Sequence, residues 1–422
     1  MSAARAIPST EVPENSYVLA LTFRARQIAA AAANSAADVL SCGQPAAVRL
    51  ARPPLLTFNR IFILRSCSFN TPRRESRHAK TVLPRRTALK QILALVCFLM
   101  LLTSAAAAQT NLNAAGATFP YPIYSKWFNE YHKKHPNIQI NYQSIGSGGG
   151  IRQVLAGTVD FGASDGPMTD DQLSQAKTKI LHIPTVLGAD VPAYNVPGVK
   201  GELKFTPDVL ADIFLGKITS WNDPRIAKAN PGVNLPGQAI IVVHRSDGSG
   251  TTYIWTDYLS KVSSEWKNSV GKGTSVKWPV GLGAKGNEGV AGMVRQMEGS
   301  IGYVELIYAL QTNISYGSVK NAAGEFVRAS LESTTAAAAS AQMPADFRVS
   351  ITNPPGKGAY PIASFTWLLI PVQAKDAQRG QIIKDFLHWM VEDGQTMVTQ
   401  LSYAPLPKEV AAKVKASIAQ VR

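Results

Sequence analysis

The chain has 422 residues, 45% hydrophobic and 17% charged, a globular composition long enough for two or three domains. Its net charge of +15 suggests a polyanionic partner until it is divided by position: residues 1–108 carry 14 Lys+Arg against 4 Asp+Glu, and the remainder 29 against 24. The excess therefore sits in the leader, and a mildly basic body with no Lys/Arg run argues against nucleic acid as a partner.

Residues 1–80 mix Arg with Ala and Pro and show no sustained period. They stay unassigned, read either as upstream of a true start near Val82 or Leu83 or as a long targeting extension. Residues 81–108 read as a signal peptide. Arg85, Arg86 and Lys90 form a positive region, 91–102 is mostly apolar, and 104–108 are small, with cleavage expected near Ala108/Gln109. An apolar run of about a dozen residues is short of the roughly 20 that a spanning helix needs. Cys42, Cys67 and Cys97 all precede residue 109, so the body has no disulfide and no thiolate metal site.

From residue 109 helical and strand patterns alternate, an α/β order. Residues 123–135 carry a helical apolar face, and 138–142 alternate as a strand. A helix is expected to open at 151–155 and a strand at 159–163. Buried strands are expected at 186–196 and 240–243. The Ala-rich 336–341 reads as a surface helix. Ile383, Phe386, Leu387, Met390 and Val391 mark an amphipathic helix.

Four segments share one design, a turn of small residues followed by a helix: 115–120, where Pro120 suits a first helical turn, then 146–150, 162–167 and 245–252. A helix N-terminus exposes backbone N–H groups at its positive end and so attracts anions. Glycine lets the backbone approach closely, and Ser or Thr adds a hydroxyl. One such turn is usually only a cap; four in one chain, with Arg245 in the last, point to a small tetrahedral anion. Competing motifs fail. There is no G-x-x-x-x-G-K-[ST], no dinucleotide fingerprint, no G-x-S-x-G around Ser147 or Ser249, and no H-E-x-x-H.

The segments AGATFP, GSGGGIRQ, VDFGASDGPM and RSDGSGTT, in this order, resemble the phosphate-binding proteins of high-affinity ABC phosphate importers, the PstS type. IFLGKI, WNDP, VKWP and IGYVE agree, and the likeness covers residues 112–420. Gly148 departs from it where a second serine is common, and His244 where some relatives carry another basic residue. The resemblance implies an α/β, two-lobed type II periplasmic-binding-protein fold with the ligand in the interlobe cleft. One lobe would be 109–186 plus 363–422, the other 187–362. The implied phosphate shell is Ala117, Thr118, Phe119, Ser147, Asp165, Arg245, Ser249, Gly250 and Thr251, with Asp247 orienting Arg245. It implies a periplasmic monomer that hands inorganic phosphate to membrane permease subunits, with no catalytic residue, cofactor or metal.

Asp165 is the informative member. A carboxylate facing an anion makes sense if the anion keeps a proton for it to accept, which phosphate does at neutral pH and sulfate does not. The bland alternative is a cap for the following helix. Three rival functions stay open on sequence: a phosphatase using Ser147 or Ser249, a binder of another oxyanion, and a purely structural protein.

Overall fold

The computed structural model describes residues 109–199, 201–339 and 341–422. The expectations for 1–80 and for the signal at 81–108 lie outside the described residues.

Strand and helix alternate from the start. β1 (Thr110–Gly116) leads to α1 (Tyr121–Lys134), β2 (Ile138–Ser144) to α2 (Ser147–Ala156), and β3 (Phe161–Ser164) to the short α3 (Asp170–Ser174). The long β4 (Ile180–Asn195) follows. Then come β5 (Lys204–Phe205), α4 (Pro207–Phe214), α5 (Pro224–Ala229), β6 (Ile241–Arg245), α6 (Gly250–Val262) and α7 (Ser264–Ser269). Next are β7 (Leu282–Ala284), α8 (Gly286–Gln296), β8 (Ser300–Glu305), α9 (Leu306–Thr312), β9 (Ser315–Tyr316), β10 (Ser318–Lys320), β11 (Phe326–Val327) and α10 (Leu331–Ala339). The chain closes with β12 (Ala363–Pro371), α11 (Ala377–Val391), a 3₁₀ segment (Gly394–Leu401) and α12 (Lys408–Ile418).

The main sheet runs β2-β1-β3-β12-β4-β8-β6-β7, with β9 on β4; β11, β10 and β5 form a small second sheet. Two parallel groups, β2-β1-β3 and β8-β6-β7, are joined through antiparallel β12 and β4. β4 changes partner along its length, pairing with β12 up to Ala189 and with β8 from Asp190. Parallel β-α units set the C-terminal ends of the strands, and the helix N-termini after them, on one edge of each group, where ligands of open α/β sheets bind.

Helical apolar stripes drive the packing. α1 buries Ile123, Tyr124, Trp127, Phe128 and Tyr131, and Phe128 meets Phe386 of α11 at a centroid distance of 5.4 Å. α6 buries Trp255, which stacks on Tyr303 of β8 at 5.1 Å and 14°. Such pairs contribute about 0.5–1.5 kcal/mol beyond their buried area. Among the described residues no helix is long and apolar enough to cross a membrane.

Several element boundaries differ from the sequence reading. α2 begins at Ser147, four residues before the expected helix, so the glycine run is its first turn. Glycine is a poor helix former; here contact overrides propensity. A Cβ on Gly150 would lie 2.6 Å from Gly116 Cα and 2.7 Å from the Ala115 carbonyl oxygen. Pro120 stands at the N-cap of α1, and the proline inside the first turn is Pro122. β4 starts six residues earlier than expected: Pro184 pairs with Trp367 directly beside a register shift that leaves Thr185 without a partner, an irregularity at which a strand tolerates proline. α10 begins five residues before the Ala-rich run and is two-faced: Ser333, Thr334, Ala337 and Ala338 are buried while Glu332, Thr335 and Ala339 are exposed.

Gly150 yields a prediction. Ala would gain up to about 1 kcal/mol of helix propensity, but a methyl driven into rigid backbone costs about 2–3 kcal/mol. Gly150→Ala should therefore lower the urea midpoint, with a net loss of about 1–2 kcal/mol. An unchanged or raised midpoint would show that the two segments separate freely.

Candidate functional site

The four turns converge. Gly116 ends β1, and the following turn is pinned by three phenols. The hydroxyls of Tyr142, Tyr308 and Tyr403 donate to the carbonyls of Ala117, Thr118 and Phe119 at 2.7, 2.6 and 2.6 Å. Gly148 N–H of α2 donates to the Gly248 carbonyl at 2.9 Å, tying the second turn to the fourth. A Cβ on Gly250 would lie 2.5 Å from Ser147 Oγ and 2.4 Å from Asp165 Oδ2, which sets the third turn against the fourth as well.

Donors dominate this meeting point. Ser147, Asp165, Arg245, Ser249, Thr251 and Thr118 are all buried. Among the described residues, the backbone N–H groups of Thr118, Phe119, Ser147, Gly250 and Thr251 donate to no protein acceptor. The first N–H groups of a helix lack an intrahelical partner by construction, and buried ones call for another. Ser249 caps α6 by accepting from Thr252 N–H at 3.0 Å. Ala117 differs from its neighbours. Its N–H bonds the Ala163 carbonyl at 3.1 Å and its own carbonyl is taken by Tyr142, so it offers no free donor.

Arg245, at the end of β6, carries the one buried positive charge among these groups. Nε and Nη2 donate to Asp247 Oδ1 and Oδ2 at 2.8 and 2.5 Å, and Nη1 faces Thr251 Oγ1 at 3.3 Å. Burial works against the guanidinium's charge, but the bonds and charge of Asp247 outweigh it and raise its pKa. The Gly286 N–H holds Asp247 in turn at 3.1 Å.

Asp165 is not a helix cap. α3 is capped by Thr169, whose hydroxyl accepts from Gln172 N–H while the Gln172 side chain returns to Thr169 N–H. The Asp165 carboxyl instead accepts from Thr366 Oγ1 at 2.7 Å and, at 3.4 Å, from Ser147 Oγ. Burial pushes it up to about 7, against the Thr366 bond, the Arg245 charge and the Ser147 bond. An acid held there is an acceptor when ionised and costs little to protonate.

Sequence reasoning missed several neighbours. Asn287, in the first turn of α8, bonds both Thr118 and Thr251. Its context, Gly286 opening a helix, partly repeats the small-residue design and was the available signal; the structure gives that glycine a φ of +72°. Thr366 lies on β12, and only folding sets it against Asp165. Asp190 and Glu305 face each other across β4 and β8, both fully buried. Burial raises both carboxyls well above the usual range. Neither Asp190 oxygen has a partner among the described residues. Among those residues no group of three or more His, Cys, Asp or Glu could hold a metal ion.

Residues 103–393 match the model of a PBP superfamily domain. The phosphate-binding protein PstS of Pasteurella multocida is 51% identical over 312 residues, covering 73% of this chain and 90% of its own length. The PstS of Haemophilus influenzae is 48% identical over 73% of this chain and 92% of its own length. The chain belongs to the PstS family of phosphate-binding proteins. The crystal structure of a phosphate-binding protein from Stenotrophomonas maltophilia shares the fold at a TM-score of 0.55 and 21% identity, over 73% of this chain and 93% of that one. The α/β fold of periplasmic-binding type expected from the sequence is thus the fold of the PstS family. The convergent turns are the feature of that fold that offers chemistry.

Proposed function

We propose that residues 109–422 bind inorganic phosphate in the periplasm and deliver it to the membrane permease of an ABC importer. The observation that carries this reading is the set of buried N–H groups with no acceptor among the described residues, in turns that meet beside one arginine and one carboxyl acceptor, Asp165. Many neutral donors and one held cation suit a small anion; one acceptor suits an anion that keeps a proton. The proposed shell is Thr118, Phe119, Ser147, Asp165, Arg245, Ser249, Gly250 and Thr251, with Asp247 orienting Arg245. Ala117 contributes packing. The proposed lobes are 109–186 plus 363–422 and 187–362, joined where β4 and β12 cross between the two strand groups. A ligand touching both lobes favours closure by differential contact.

A phosphatase is disfavoured. His244, close in sequence to Ser249, stacks on Trp278 at 4.8 Å and 11°, and its Nδ1 lies 3.1 Å from the Arg245 carbonyl. That engages the one histidine near Ser249 elsewhere, so neither serine has an imidazole base among the described residues; as an acceptor Ser147 meets only the Asp165 carboxyl, at 3.4 Å.

Isothermal titration of the purified protein, stripped of bound ligand, tests the proposal. One phosphate should bind per chain, arsenate should compete, and sulfate should give no heat. Silence with phosphate, or equal heats with sulfate, would defeat it.

A further inference from the structure

We infer that Asn287 is a specificity-determining positioning residue that fixes the Thr118 and Thr251 hydroxyls as pure donors toward the bound anion. The inference rests on the phosphate reading above and deepens it.

Asn287 is fully buried at the start of α8. Its amide has one possible orientation. Oδ1 lies 3.0 Å from the Glu305 N–H, and a backbone N–H can only donate, so Oδ1 is the acceptor and Nδ2 points the other way. The two Nδ2 hydrogens then meet two hydroxyl oxygens, Thr118 Oγ1 at 2.8 Å and Thr251 Oγ1 at 3.1 Å.

A hydroxyl has one proton and two acceptor lone pairs. Thr118 Oγ1 receives a second donor, the Asn287 backbone N–H, at 3.3 Å. Thr251 Oγ1 receives Arg245 Nη1 at 3.3 Å. Both oxygens are therefore filled as acceptors, and the only function left to each is its O–H. An unconstrained threonine can turn a lone pair toward an anion; these two cannot. Ser147 lacks this constraint. Its Oγ accepts from Asp165 N–H at 3.2 Å and approaches Asp165 Oδ2 at 3.4 Å, so its proton has an acceptor within the protein. Asn287 also joins Thr118, after β1, to Thr251, in α6, and so spans the two proposed lobes.

Two measurements on the full protein test this. In neutron diffraction of the phosphate-loaded wild type, the Thr118 and Thr251 deuterons should point at the anion; deuterons pointing at Asn287 overturn the inference. Phosphate titration of Asn287→Asp across pH gives the second. A carboxylate there accepts where the amide donated, so both hydroxyls turn inward. Losing two donors to a charged ligand predicts roughly 100-fold weaker binding. The loss should grow with pH, because the turned hydroxyls now prefer a more protonated anion. A uniform loss at every pH would mark a structural role. The triple variant Thr118→Val/Thr251→Val/Asn287→Asp separates the hydroxyls from the added charge: a pH profile that flattens supports the inference, and one that persists overturns it. If the wild type fails to bind phosphate, the functional proposal falls and takes this inference with it. If the wild type binds and only these tests fail, the inference falls alone.

Discussion

Asp165→Asn should admit sulfate to the site while leaving the fold intact. A site built to hydrogen-bond a group can reject the analogue lacking it by roughly 10⁴–10⁵. In the wild type the Asp165 carboxylate would accept a hydrogen bond from the phosphate O–H, and it would face a bare sulfate oxygen with no proton between them. An asparagine amide turns a donor toward that oxygen instead. Discrimination should fall from that range to about tenfold, read by competition titration with the two anions. Unchanged sulfate rejection would sink the assigned role.

The same substitution carries a pH signature in the ligand-free protein. Burial raises the Asp165 carboxyl from the ordinary 3.8 to about 7. A value higher in the folded than in the unfolded state means that stability is fully present below the ordinary carboxyl pKa. It is then lost as pH rises through about 7. Asparagine does not titrate. The variant should therefore be more stable than wild type by about 2–4 kcal/mol above pH 7, and the difference should vanish toward pH 4. Denaturant melts at both ends of the range measure it, and a constant difference would show that the Asp165 ionisation is not what limits stability.

Arg245→Met should have the largest effect on affinity. The guanidinium side chain is 1% exposed and gripped by Asp247 through two bonds. Charge-assisted bonds contribute about 1.5–3 kcal/mol each, so losing one or two should weaken phosphate binding by roughly 10²–10³-fold. Stability should also drop by about 2–4 kcal/mol, since Asp247 is left half-buried without its cation. The pair Arg245→Met/Asp247→Leu separates the two effects: it should recover much of the stability and none of the affinity. Recovered affinity would mean that Arg245 serves the fold and not the ligand.

Local features were readable from the sequence to different depths. Helix 121–134 was plain because its apolar residues recur at helical spacing, and all five of them are buried. The start of α2 was not, because three successive glycines argue against a helix until one sees what their missing side chains make room for. The buried face of the Ala-rich helix was hidden for a similar reason. Alanine has too little side chain to show which face it buries, and neighbours in β12 and β4 decide it.

The amino-acid sequence by itself determined the donor turns. A small-residue turn before a helix is a local arrangement, and unpaired N–H groups follow from helix geometry wherever the helix lies. Tertiary structure alone decided what those turns do together. It brought Thr366 to Asp165 across 201 residues and Asn287 to Thr118 across 169, and it buried the Asp165 carboxyl enough to move its pKa. Hydrogen-bond polarity belongs to the same class. Whether a threonine presents a proton or a lone pair depends on which donors have filled its oxygen, and those donors come from segments that only folding brings within reach.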